Sequence, residues 1–398
     1  MKIKGFSSPK PMSRNVTVGI DVGCSTTKVM VVEHAKERDK KTSRIIGTGI
    51  APTRGLKKGF VFDQKELIKT IETAVHDAEI SSGIKIRQAT IAIAGITLES
   101  KVSRGSSIIS RADNEVTNFD VQKAIKDSEQ SLKIMNKHII ETLPVIYKLD
   151  SREVYGKVEG LRGVRLEVTT LFINCSNQHL EDLVGIINAS GIDVVDVIAA
   201  PIAASVTAID ERQKGAGCIL IDIGDETTSV IVFEEGNIIS LKVFPIGSNN
   251  ITNDLALGLK VSLDDAEGIK LGKVTSDIPQ RKIDEIVGAR VNEIFDVISK
   301  FLKKINRDER LPAGAIIIGG AANIKGIEDV AKKILNLPSK MTGLKNKNNV
   351  DPTWFTAYGL CMSGKEDIQR DNNYPNFLSA IWHHLKKLGS GIGKQLMP

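Results

Sequence analysis

The 398-residue chain holds no apolar run near the roughly 20 residues a spanning helix requires, which argues against a multi-span membrane protein. Cysteine is scarce: Cys24, Cys175, Cys218 and Cys361 are scattered, with no Cys-x-x-Cys pair among them. That spacing disfavours a metal site or a disulfide framework and fits buried free thiols. Residues 1–14 carry Lys2, Lys4, Lys10 and Arg14 but lack the apolar stretch of a secretion signal. They read as a mobile basic tail on a protein that stays in the cytosol. The net charge of +6 is small and interspersed with acids, so it gives no indication of nucleic-acid binding. What is present is an ordinary globular composition, 41% hydrophobic and 26% charged, in a chain too long for one core. Two or more domains, or two large lobes, are expected.

Two stretches echo each other: "GIDVGCSTTKVMV" at 19–31 and "LIDIGDETTSVIV" at 220–232. Around the first, apolar β-branched runs at 16–22, 28–33 and 44–51 predict three strands. A helix over Gln64–Ser82 follows, with Leu67, Ile71, Ala74, Val75 and Ala78 on one face. Around the second, strands are predicted at 217–223, 228–234 and 238–244, then helices through 249–271 and 284–306 and a strand at 315–320. The chain therefore reads as α/β, a repeated β-meander-plus-helix lobe with a cleft between the copies.

Asp21 and Asp222 each end a buried strand, an expensive place for a carboxylate unless it faces an opening and has a partner. In each copy a glycine and hydroxyl residues follow: Gly23, Cys24, Ser25, Thr26, Thr27 and Lys28, then Gly224, Asp225, Thr227 and Thr228. Such turns can offer backbone N–H groups and hydroxyls to phosphate oxygens, with the two carboxylates holding a hydrated Mg2+ against them. A third turn, at Gly319, Gly320 and Ala321, joins a strand to a helix and permits close approach by a sugar or base. Two facing phosphate clamps imply a nucleotide.

These three motifs, in this order at 19–31, 218–233 and 316–327, resemble those of the actin, sugar-kinase and chaperone ATPase superfamily. Within it the chain most resembles the FtsA family of bacterial cell-division proteins, because its insert falls at about 85–165 and closes with Gly160, Gly163, Val164, Arg165 and Leu166. "ATIAIAGITLESKVSRGSSIIS" in that insert looks like paired strands. The resemblance implies an actin-like, ribonuclease-H-like duplicated two-lobe fold with an inserted α+β subdomain and a C-terminal amphipathic helix. It implies ATP and Mg2+ as ligands, with Glu267 and Lys270 reaching ribose and adenine where spacing alone would give an exposed ion pair, and Arg290 either a further contact or a structural residue. It also implies filaments of the protein itself, binding to the tail of FtsZ, and contact with other division proteins through 85–165. Two departures stand out. The helix after the insert begins Ala200–Pro201, where relatives carry a glutamate, so weak ATPase activity at most is expected. The outer part of the second lobe is short, leaving Arg281 and Lys282 as the basic candidates for an acidic FtsZ tail. The alternatives are the type IV pilus assembly platform protein of the same superfamily and, further off, a sugar kinase or an activator ATPase.

The chain thus divides into the tail at 1–14, the first lobe at 15–84 and 166–209, the insert at 85–165, and the second lobe at 210–345. A return to the first lobe at 346–362 and a linker at 363–375 precede the last segment. In 376–398, Phe377, Leu378, Ile381, Trp382, Leu385 and Leu388 form an apolar stripe, Lys386 and Lys387 lie among polar positions, and no acid occurs from Tyr374 onward. That pattern predicts an amphipathic helix lying on an anionic membrane surface, at the cytoplasmic face of the division site.

Overall fold

A computed structural model of the protein describes residues 15–37, 40–273, 278–342 and 350–366. The basic tail at 1–14 and the amphipathic segment at 376–398 lie outside them. The first lobe opens with a meander of β1 (Asn15–Val22), β2 (Thr26–Glu37) and β3 (Lys40–Pro52), all antiparallel, with Asp21 opposite Lys28. A small hairpin, β4 (Leu56–Lys57) and β5 (Phe60–Val61), leads to α1 (Gln64–Ser82). Both ends of α1 are set by local chemistry: the Asp63 carboxylate accepts from the Glu66 N–H, and Gly83 ends the helix at φ 67°. The face predicted from the 3.6-residue period is the one buried on the sheet.

The next strand, β6 (Gln88–Ile93), runs parallel beside β1. It is therefore a first-lobe strand. The expected pairing within the insert does not form, because the all-buried run Ala89–Ile93 goes to the middle of the first sheet. The inserted subdomain proper comprises β7 (Glu99–Ile108), α2 (Asn118–Gln130), β8 (Lys137–Leu149), β9 (Arg152–Val154) and β10 (Arg165–Ser176). Its central strand β10, placed beforehand in the first lobe, hydrogen-bonds β7 on one side and β8 on the other. Thr117 and Asp120 form a capping box on α2, and the Asp150 carboxylate accepts from the Val164 and Arg165 N–H groups where the subdomain closes. Then α3 (Asn177–Ala189), β11 (Asp193–Ala199) and α4 (Ala200–Ala208) complete the first lobe, with β11 parallel to β6. A short α5 (Glu211–Ala216) connects to the second lobe.

The second lobe repeats this plan with β12 (Cys218–Ile223), β13 (Thr228–Glu234) and β14 (Asn237–Phe244). Three helices follow, α6 (Ser248–Leu259), α7 (Leu263–Lys270) and α8 (Gln280–Lys304), then β15 (Gly314–Ile318), α9 (Ile327–Leu335) and β16 (Ser339–Met341). The first sheet runs β11-β6-β1-β2-β3, and the first five strands of the second run β16-β15-β12-β13-β14. Each is an antiparallel meander flanked by two parallel strands, so the echo in sequence is a duplication of topology. Side-chain alternation serves both faces of the second sheet: Ile219, Ile221, Val230 and Ile317 pack with the second-lobe helices, while Leu220, Ile231, Leu241 and Ile316 face the first-lobe core. One residue pair, Lys242 with Glu99, links β14 to β7 and joins the insert to this sheet.

The chain returns through α10 (Phe355–Glu366), which crosses α4 at Gly359. A Cβ there would lie 1.9 Å from the Ala203 carbonyl oxygen, so only glycine permits this approach. The crossing ties the return segment to the wall of the cleft.

Candidate nucleotide site

Each meander makes the same turn. The Gly23 N–H donates to the Thr26 carbonyl at 3.2 Å, and the Gly224 N–H donates to the Thr227 carbonyl at 2.9 Å. In each, the next threonine points inward: Thr27 shares a 2.9 Å hydrogen bond with the Thr53 hydroxyl, and Thr228 donates to the Ile246 carbonyl at 2.8 Å. Both are fully buried, so they brace the turns from behind, whereas Thr26 and Thr227 line the cleft.

The two turns face each other across a cleft of about 570 Å³. Asp21, Asp222, Gly23, Cys24, Ser25, Thr26 and Lys28 line it together with Gly224, Asp225, Thr227, Glu267, Lys270 and Gly319–Ala321. Of the nucleotide residues singled out in the sequence, Thr27, Thr228 and Arg290 do not. Arg290 makes a two-pronged ion pair with Asp254 at 2.6 and 2.9 Å and a further pair with Glu293. Gly319 lies against the floor at φ 94°, where a Cβ would stand 2.4 Å from Asp222 Oδ1. Arg281 and Lys282 are exposed at the start of α8, Arg281 beside Glu285 at 3.0 Å.

Other lining residues carry no motif in the sequence. Ala94 and Gly95 come from the end of β6, Ala200 and Pro201 from α4, and Thr353 and Thr356 from the return segment. Lys28 Nζ donates to the Thr353 carbonyl at 2.6 Å and lies 5.8 Å from the centre of the Trp354 ring. This cleft-lining lysine is thereby held by a segment more than 300 residues away.

The floor is electrostatically unsatisfied. Burial, and then the neighbouring Asp21, push Asp222 up to about 6, with Lys28 pulling the other way. Burial also raises Asp21, again against Lys28, and raises Asp225 against Lys270. Burial works to raise Glu267 as well, but hydrogen bonds from Lys270 at 2.6 Å and Thr252 at 2.6 Å outweigh it and bring it down. Cys24, pushed up to about 12 chiefly by burial, stays a thiol and is no nucleophile. Four carboxylates against two lysines leave the lining of the cleft with an excess of acidic groups. Among the described residues no group of three or more potential ligand side chains surrounds a metal. The two facing carboxyls of Asp21 and Asp222 suit an ion that completes its shell with water and phosphate oxygens, as Mg2+ does.

Two duplicated meanders, with paired carboxylate turns across a cleft, define an actin-like protein of the nucleotide-binding kind. The chain belongs to the FtsA family and is an actin-like cell-division protein. Residues 219–359 match the family model for cell division protein FtsA, and residues 95–174 match that for the SHS2 domain inserted in FtsA. The chain is 30% identical to cell division protein FtsA of Neisseria meningitidis serogroup B over 370 residues, 86% of this chain and 88% of that protein. It is 29% identical to FtsA of Bacillus subtilis over 365 residues, 86% of this chain and 82% of that protein. Among solved structures, the PilM–PilN type IV pilus biogenesis complex aligns with a TM-score of 0.63 at 14% identity, over 87% of this chain and 98% of that one. MreB5 of Spiroplasma citri bound to ADP aligns at 0.52 and 13% identity, over 90% and 99%. Those two likenesses show the fold.

Proposed function

We propose that this protein binds ATP with Mg2+ between its lobes, assembles head to tail into filaments, and tethers FtsZ to the inner face of the membrane. The observation that carries the nucleotide reading is the convergence of two Asp-x-Gly turns, 201 residues apart in sequence, on one cleft where burial and the neighbouring Asp21 raise the Asp222 carboxyl. Asp21 and Asp222 hold the hydrated Mg2+, and backbone groups of the 23–26 and 224–227 turns meet the phosphates. Glu267 and Lys270 reach the ribose and adenine, beside Gly319–Ala321. Mg2+ supplies charge neutralisation for the phosphates. At Ala200 and Pro201 the wall of the cleft has no polar side chain to orient a water, so turnover is slow. Arg281 and Lys282 are the basic residues offered to an acidic FtsZ tail, and the insert offers a surface to other division proteins.

Tethering is assigned to Phe377–Leu388, outside the described residues. A single short helix binds a bilayer weakly, but a filament multiplies its anchors into a collective affinity. Pelleting with phosphatidylglycerol vesicles in MgATP tests this. The full chain is expected to pellet and to carry an FtsZ C-terminal peptide with it, while a chain ending at residue 373 stays in solution. Equal pelleting of both chains overturns the tether.

A further inference from the structure

The two turns are alike in backbone and unlike in charge. Where the first carries Cys24 and Ser25, the second carries Asp225 and Glu226. Glu226 does not line the open volume; its side chain reaches out of its own lobe. Its Oε2 accepts from the Lys58 backbone N–H at 2.5 Å, at the tip of the β4–β5 hairpin of the first lobe. The Cys24 thiol, inside the opposite phosphate turn, is pushed up chiefly by burial and in part by the same carboxylate nearby. Lys58 is held for this bond: it takes the left-handed conformation at φ 50°, in a two-residue turn with Gly59, which itself faces the cleft. One carboxylate thus joins the second lobe to the β4–β5 hairpin of the first.

We propose that Glu226 is a clasp between the lobes that competes with the nucleotide: it latches the cleft in the nucleotide-free protein and is displaced when phosphates enter. The inference rests on the nucleotide reading of the cleft. Phosphates seated on the Gly23–Thr26 turn stand next to Cys24, which is close enough to feel the Glu226 carboxylate. Like charges at that separation in a half-buried site repel strongly. The lowest-energy response of Glu226 is to leave Lys58, which frees the β4–β5 hairpin and lets the lobes move relative to each other. Nucleotide occupancy is thereby coupled to the opening of the cleft through one side chain.

The test compares wild type with Glu226→Gln, which keeps an acceptor oxygen for Lys58 but loses the charge. ADP affinity is measured with Mg2+ by calorimetry, and hydrogen exchange is followed at the Lys58 amide with and without ADP. The expected result is about tenfold tighter ADP binding by Glu226→Gln, and a Lys58 amide that is protected in free wild type and exposed once ADP is bound. Unchanged or weaker binding by the variant overturns the clasp, as does protection at Lys58 that persists in the ADP complex. If wild type binds ADP and the variant gains nothing, the clasp alone falls. If neither chain binds, the nucleotide reading falls and takes the clasp with it.

Discussion

Replacing Asp222 by asparagine should stabilise the nucleotide-free protein, and only above a defined pH. Burial and the adjacent Asp21 hold the Asp222 carboxyl at about 6, against 3.8 for an ordinary aspartate. The folded state therefore keeps a proton between about pH 4 and pH 6 that the unfolded chain has released. A raised carboxyl pKa means that stability is lost as pH rises through this window, and the deficit is constant above it. Two pH units at about 1.4 kcal/mol each set the full deficit near 3 kcal/mol, and water entering the open cleft makes the realised value smaller. The asparagine side chain has no proton to lose. Urea unfolding in EDTA without nucleotide should place the variant above wild type by up to about 3 kcal/mol at pH 7.5 and close to it at pH 3.5. MgATP should raise the wild-type midpoint at pH 7.5 and leave that of Asp222→Asn unmoved. A gap of the same size at both pH values, or a variant less stable than wild type at pH 7.5, would refute the assignment of the deficit to this carboxylate.

Gly359→Val should drive α10 off α4, because the first added carbon already overlaps the Ala203 carbonyl at 1.9 Å. A loss of about 1–3 kcal/mol in thermal unfolding is expected, together with weaker nucleotide binding, since Thr353 and Thr356 sit on the displaced segment. Lys270→Met removes one of the two lysines lining the cleft and leaves Glu267 unpaired. ATP affinity should fall roughly tenfold in calorimetry, about the 1.4 kcal/mol expected of one charge-assisted contact. Affinity equal to wild type would place the nucleotide away from α7.

How much of this was legible depended on the range of the interactions. The span of α1, about Gln64 to Ser82, was readable because its apolar stripe repeats within the helix itself. The duplicated turns were readable because each is built from consecutive residues. Strand β6 was misplaced, since nothing within "QATIAI" says which sheet will accept it; its partners β1 and β11 are far off in sequence. Thr27 and Thr228 were assigned to phosphate although a signal was available. They directly follow Thr26 and Thr227 in strands whose side chains alternate, so neighbouring hydroxyls must face opposite ways. Arg290 had no such signal, as its partner Asp254 lies 36 residues earlier on another helix. The hold of Thr353 on Lys28 is likewise set only once α10 docks on the first lobe.

Isothermal titration of the folded chain with ATP, in the presence and absence of Mg2+, bears most directly on the claim that the duplicated carboxylate turns grip a nucleotide between the lobes. One molar equivalent of ATP should bind with heat that requires Mg2+ and disappears in Asp21→Asn and Asp222→Asn. Absence of heat in a well-folded sample, or binding that both variants retain, would contradict it.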